Sequence, residues 1–185
     1  LGIALHPNLP ATPFVYLYYT ESGTARDSSG SPACNREYRY TWNGATLTSR
    51  LLIIDLPVTP GPNHDGGVMT FGPDGKLYVV IGDLNRDGQL QNSPGGAAPD
   101  DTSVILRIND DGPIPSDNPF FSQGGNGAKY YAYGIRNSFG MAFDPVTHDL
   151  WMTENGPGSY DEINLVEPGF NSGWETLMGP DARNS

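Results

Sequence analysis

Thr70-Phe71-Gly72-Pro73-Asp74-Gly75-Lys76-Leu77-Tyr78-Val79-Val80-Ile81-Gly82-Asp83 is the stretch on which the fold turns. A short apolar strand runs into a Gly-Pro-Asp-Gly turn, and a run of aromatic and β-branched residues follows. That is how a hairpin is written in sequence. Two other stretches repeat the pattern. Ala4-Leu5-His6-Pro7 leads after a short loop into Phe14-Val15-Tyr16-Leu17-Tyr18-Tyr19-Thr20, and Ala142-Phe143-Asp144-Pro145 leads into Asp149-Leu150-Trp151-Met152-Thr153-Glu154. The copies begin at Leu5, Phe71 and Phe143, at spacings of 66 and 72 residues. Recurrence at such a period predicts a radial or stacked β array, of which the β-propeller is the commonest soluble form. Further strand candidates at residues 38–42, 50–56, 104–108 and 129–134 bring the repeats toward the four strands of a propeller blade. The expected fold is therefore all-β, about three four-stranded antiparallel blades. Residues 1–185 are read as a single partial propeller domain, truncated at both ends. Residues 21–35 and 87–101 lack periodicity and read as long loops on a rigid scaffold. Residues 128–133 read as strand rather than short helix because of their aromatic content.

Composition agrees with this reading. Gly (24) and Pro (17) make up more than a fifth of the 185 residues, against about 12% in an average chain. An aromatic content of 11% argues against disorder. Ten basic residues against twenty-one acidic ones give a net charge of −11. That field repels polyanions, which excludes nucleic acid and anionic membrane surfaces as natural partners. It suits hard cations such as Ca²⁺, or simply solubility. The single cysteine, Cys34, excludes an intrachain disulfide framework and Cys-based zinc sites. No apolar run approaches the length of a membrane-spanning helix.

Three places carry candidate chemistry. His64 sits in Pro60-Gly61-Pro62-Asn63-His64-Asp65-Gly66-Gly67, just before a strand, where two glycines let a backbone or ligand come close. An imidazole there is either a general base or an ordinary loop histidine. His6 and His148, in the turns of the repeats, read as solvated turn residues. Tyr133-Gly134-Ile135-Arg136-Asn137-Ser138-Phe139-Gly140 sets a cationic fork beside an amide, suited to a ligand bearing carboxylates and carbonyls, or else to tying down a loop. Glu154-Asn155-Gly156-Pro157-Gly158-Ser159-Tyr160-Asp161-Glu162 combines exposed backbone carbonyls with two acids, the oxygen chemistry that holds Ca²⁺. Asp83-Leu84-Asn85-Arg86-Asp87-Gly88 imitates the start of an EF-hand loop. Its twelfth position is Pro94 rather than Glu, and an ordinary polar turn is the expectation.

Taken in order, Leu-Gly-Ile-Ala-Leu-His-Pro, His-Asp-Gly-Gly, Phe-Gly-Pro-Asp-Gly-Lys-Leu-Tyr, Ile-Gly-Asp, Gly-Ile-Arg-Asn, Gly-Met-Ala-Phe-Asp-Pro, Glu-Asn-Gly-Pro, Asp-Glu-Ile-Asn-Leu and Asn-Ser-Gly-Trp run through nearly the whole chain. Together they resemble the soluble PQQ-dependent glucose and aldose sugar dehydrogenases, the glucose/sorbosone dehydrogenase group. The resemblance implies a six-bladed propeller, pyrroloquinoline quinone (PQQ) and Ca²⁺ as cofactors, an aldose substrate and an external electron acceptor. By the same resemblance His64 is the general base, Asp161 the carboxylate that orients it, and Arg136 a charge-stabilising contact to the quinone. Asn137 is a further cofactor contact, the carbonyls of Gly156 and Pro157 hold Ca²⁺, and Glu162 with the backbone around Ser172 forms a second calcium site. Ser172 replaces the family's usual Tyr, and Phe139 stands where sugar-oxidising relatives often carry a polar residue. The remaining cationic cofactor contacts of the family lie in later blades, so the chain alone is expected to be inactive. Export to the periplasm or outside the cell is implied as well. The competing expectations are a non-catalytic binding propeller, as in hedgehog-interacting relatives, and a calcium-dependent lactonase.

Overall fold

A computed structural model describes residues 1–22, 33–59, 61–86, 92 and 98–179. Among the described residues, eleven strands fall into three successive antiparallel sheets. The first contains β1 (Gly2–Leu5), β2 (Phe14–Ser22), β3 (Ala33–Trp42) and β4 (Leu47–Leu56) in that order. The second contains β5 (Met69–Phe71), β6 (Leu77–Ile81), β7 (Val104–Ile108) and β8 (Tyr130–Tyr133). The third holds β9 (Gly140–Phe143), β10 (Leu150–Glu154) and β11 (Glu162–Leu165), three strands among the described residues. Each expected hairpin forms in register, with Leu5 opposite Val15, Phe71 opposite Leu77 and Phe143 opposite Leu150. Strands β3 and β4 start earlier than the residue pattern suggests. A 3-10 segment, Gly125–Lys129, precedes β8, so the strand begins at Tyr130.

The middle sheet explains its own sequence. Strands β6 and β7 are buried throughout. Leu77, Val79 and Ile81 pack toward the first sheet with Tyr16, Tyr18 and Leu56. Tyr78 and Val80 pack toward the third with Met141, Leu150 and Met152. A sheet covered on both faces needs apolar residues at every strand position, hence the unbroken Leu-Tyr-Val-Val-Ile run. Each fully buried side chain of this kind contributes on the order of 1.5–3 kcal/mol. The outer faces of the end sheets leave Ile3, Leu5, Ile163 and Leu165 exposed. Such faces are where one blade meets the next in a closed ring.

Two expectations about turns change. His6 is not solvated: its ring packs edge-on against Phe14 and Phe71 and lies 3.7 Å from the Asp110 carboxylate. His148 is exposed, as expected. Strands β2 and β3 take in both ends of the loop expected at 21–35, whose residues 23–32 lie outside the described residues. Most of the loop expected at 87–101 also lies outside them.

Candidate active site

The site forms where the sheets come together at one end, and the main chain builds it. The Gly82 N–H, just past β6, donates to the His64 carbonyl at 3.0 Å, and the Asp83 N–H donates to the Arg136 carbonyl at 2.9 Å. The Asn155 N–H, just past β10, donates to the Asn137 carbonyl at 2.9 Å. These links tie the loop before β5, the end of β6, the β8–β9 loop and the end of β10 together. Gly82 makes the convergence possible. A Cβ there would lie 2.5 Å from the Arg136 carbonyl oxygen and 2.7 Å from that of His64. His64 has φ 66°, and Leu84 and Asn85 are also left-handed, at 49° and 61°. Left-handed backbone at non-glycine residues costs energy and tends to gather at functional sites.

His64 Nδ1 lies 2.5 Å from Asp83 Oδ1, and the Asp83 side chain is fully buried. A carboxylate accepts hydrogen bonds, so the pair assigns the hydrogen to Nδ1 and leaves Nε2 as the imidazole's acceptor. Asp83 Oδ1 also accepts from the Asn85 N–H at 3.0 Å, and Oδ2 accepts from Trp174 Nε1 at 2.8 Å. With both oxygens engaged, Asp83 is a buried member of the histidine pair and not the first ligand of an EF-hand. His64 opens on a cavity of about 470 Å³ that it lines with Pro62, Asn63, Asp65, Gly66, Asn137 and Phe139. Phe139 is 74% exposed there.

The carboxylate hydrogen-bonded to His64 is Asp83, in the place where Asp161 was expected. Asp161 is an exposed residue beyond a tight turn, and its Oδ1 accepts from the Gly156 N–H at 3.0 Å. Arg136 donates from Nη1 to the carbonyls of Asn155 at 3.0 Å and Gly156 at 3.2 Å. Its guanidinium lies 5.3 Å from the centre of the Trp174 ring. Arg136 Nε is buried without a hydrogen-bond partner among the described residues. Asn137 is buried beside it and reaches the cavity.

Glu162 and Ser172 are brought together, with Glu154 added. Asn164 Nδ2 lies 3.3 Å from Glu154 Oε2, 3.4 Å from Glu162 Oε2 and 3.3 Å from Ser172 Oγ. The Ser172 hydroxyl donates to Glu154, and the Gly179 N–H donates to Glu162 at 2.6 Å. Burial pushes the Glu154 carboxyl up to about 7, against the hydrogen bonds from Ser172 and the Arg136 N–H. Among the described residues no group of three or more His, Cys, Asp or Glu side chains forms a metal-binding cluster. Asp83 and Trp174 lie in the motifs Ile-Gly-Asp and Asn-Ser-Gly-Trp, and nothing local in either motif points to His64. The available signal was an acid directly after the Gly that ends a fully apolar strand.

A histidine–carboxylate pair, an arginine and an asparagine thus meet at the shared end of the propeller sheets. The chain belongs to the Glucose / Sorbosone dehydrogenase family, whose profile matches residues 1–181. Quinoprotein glucose dehydrogenase B of Acinetobacter calcoaceticus is 35% identical over 196 residues, covering 97% of this chain and 40% of that protein. An aldose sugar dehydrogenase of Escherichia coli K12 is 31% identical over 175 residues, 94% of this chain and 45% of that protein. The PQQ-bound aldose sugar dehydrogenase structure from Streptomyces coelicolor superposes with a TM-score of 0.77 at 31% identity, over 98% of this chain and 49% of that one. The chain thus spans about half the length of these relatives or less. Three blades in half a protein is the arithmetic of a six-bladed ring.

Proposed function

We propose that this chain carries the acid–base centre of a PQQ- and calcium-dependent aldose dehydrogenase that oxidises sugars to lactones. The observation that carries the reading is the His64–Asp83 pair, opening on a cavity shared with Asn137 and close to Arg136. His64 Nε2 accepts the proton of the sugar's anomeric hydroxyl. Asp83 holds Nδ1–H and stabilises the imidazolium that results, a contribution on the order of 10²–10⁴ in rate for the base as a whole. PQQ, when bound, supplies the acceptor for the hydride that leaves the same carbon. The residues fit such a polyanionic cofactor: Arg136 is the cation of the site, and its Nε is a buried donor still unspent. Asn137 can donate and accept beside it, and Phe139 offers an exposed ring at the cavity mouth.

Calcium belongs in the same reading. The carbonyls of Gly156, which also accepts from Arg136, and Pro157 are oxygen donors of the kind Ca²⁺ takes, and Glu162 with the backbone around Ser172 is the second locus that the resemblance implies. The substrate is an aldose, and an external acceptor removes the electrons. A periplasmic or secreted location accompanies this family reading. Among the described residues no helix is long and apolar enough to cross a membrane.

The test uses the full-length protein loaded with PQQ and Ca²⁺, a redox dye and a panel of aldoses. Sugar-dependent dye reduction that falls on the order of 10²–10⁴-fold in His64→Ala supports the reading. PQQ bound without turnover of any sugar, or lactone hydrolysis without dye reduction, overturns it in favour of a binding propeller or a lactonase respectively.

A further inference from the structure

Trp174 closes the motif Asn171-Ser172-Gly173-Trp174, and the mechanism above gives its indole no task. Its place is set by the backbone. Asn171 forms a parallel bridge with Tyr133, the Ser172 N–H donates to the Tyr133 carbonyl at 3.0 Å, and the Trp174 N–H donates to that of Gly134 at 2.9 Å. Asn92 Nδ2 holds the Trp174 carbonyl at 3.0 Å. The segment therefore runs along the exit of β8 and delivers the indole, only 7% exposed, between the acid–base pair and the arginine.

We propose that Trp174 is a positioning residue for the His64 base. Its indole N–H, 2.8 Å from Asp83 Oδ2, fixes the rotation of the carboxylate so that Oδ1 stays on His64 Nδ1. Its ring carries the Arg136 guanidinium 5.3 Å from its centre. The torsion that turns a carboxylate about its last bond is broad and roughly two-fold, so a carboxylate held on one oxygen alone is poorly oriented. A donor on the second oxygen removes that freedom. The indole thus sets the distance between the group that takes the proton and the cation beside it, through one rigid side chain outside the residues that line the cavity. This inference rests on reading His64 as the base.

Trp174→Phe tests it, because the donor is lost while an aromatic ring remains beside Arg136. In the full-length protein, selectively ¹⁵N-labelled at histidine and without cofactor, the His64 Nδ1–H resonance is expected far downfield, and the substitution should broaden it or mix the two tautomers. In the PQQ-loaded enzyme kcat should fall about 10- to 100-fold, the size expected when one hydrogen bond to a charged group is withdrawn, with KM within about twofold. A role in packing alone predicts an unchanged His64 resonance and unchanged kcat, and that result overturns the proposal. Should Trp174→Phe fail to fold, hydrogen exchange of the Trp174 indole N–H in the unsubstituted protein decides. Strong protection supports the bond to Asp83, and exchange at the rate of a solvent-exposed indole refutes it. The resonance and exchange readouts need neither sugar nor PQQ. If sugar oxidation fails while the His64 signal responds, the dehydrogenase reading falls and the positioning role stands.

Discussion

Glu37 and Asp83 are both fully shut off from solvent, one in the middle of β3 and the other just past the end of β6. Asp83 arrives with its oxygens taken up by His64, Asn85 and Trp174. Glu37 has no hydrogen-bond partner on either oxygen among the described residues. It lies across the ladder from Tyr18 and Ile54. The donors close to it are spent elsewhere: Tyr18 on the Asp65 carbonyl, and Asn35 on Asp65 and the Pro57 carbonyl. Desolvation pushes the Glu37 carboxyl up to about 8. Equal burial therefore yields two different groups. Partners make one an orienting device, and their absence makes the other a neutral filler of the interface between two sheets.

The comparison breaks most easily at Asp83. Asp83→Ala strips His64 of its anchor and orphans the Trp174 and Asn85 donors. Turnover of the full-length, PQQ-loaded enzyme should fall on the order of 10²–10⁴-fold. Steady-state rates at saturating sugar measure this, and a loss under tenfold means that Asp83 is as idle as Glu37.

Glu37 is tested through pH. The folded protein keeps its proton up to about pH 8, while the ordinary glutamate value is 4.5. Between those values the folded state binds a proton that the unfolded chain has released. The contribution is thus whole below about 4.5 and is lost as pH rises through about 8. Glu37→Gln should flatten this slope. Denaturant unfolding of the two proteins at pH 5 and pH 8 should show the variant gaining on the order of a few kcal/mol relative to the parent at the higher pH. Parallel pH curves would mean that Glu37 finds a partner after all.

The smallest effect belongs to the acid at the opposite extreme. Asp161 is exposed, and its described hydrogen bond, from the Gly156 N–H, is one that an amide oxygen can also accept. Asp161→Asn should leave turnover within a factor of about two to three, the effect of about 0.5 kcal/mol typical of surface changes. A collapse comparable to that of Asp83→Ala would return the orienting role to Asp161.

These acids also mark what the sequence could and could not convey. The hairpins at Leu5, Phe71 and Phe143 were legible because a turn and an alternating strand are local patterns. The double-sided burial of β6 was legible in its unbroken apolar run. His64, Arg136 and Asn137 were legible as candidates because glycines flank the places where their loops must approach one another. The contact of Asp83 with His64 was not, since it depends on a main-chain link between Gly82 and His64. Trp174 was hidden for the same reason: its bond to Asp83 spans 91 positions. His6 looked like a turn residue because the rings of Phe14 and Phe71 that enclose it come from different sheets.

The main-chain links through Gly82 have a consequence for how such a centre can be inherited. His64, Asp83, Arg136 and Trp174 come from one stretch of the chain, and main-chain bonds from Gly82 to His64, Asp83 to Arg136 and Trp174 to Gly134 register their backbones to one another. The geometry of the histidine–carboxylate pair is therefore a property of adjoining blades, transmissible as a block. Under the proposed function, rim loops can be exchanged without re-aiming the imidazole. An engineer could graft this block into another propeller of the same blade pitch and redesign the rim alone.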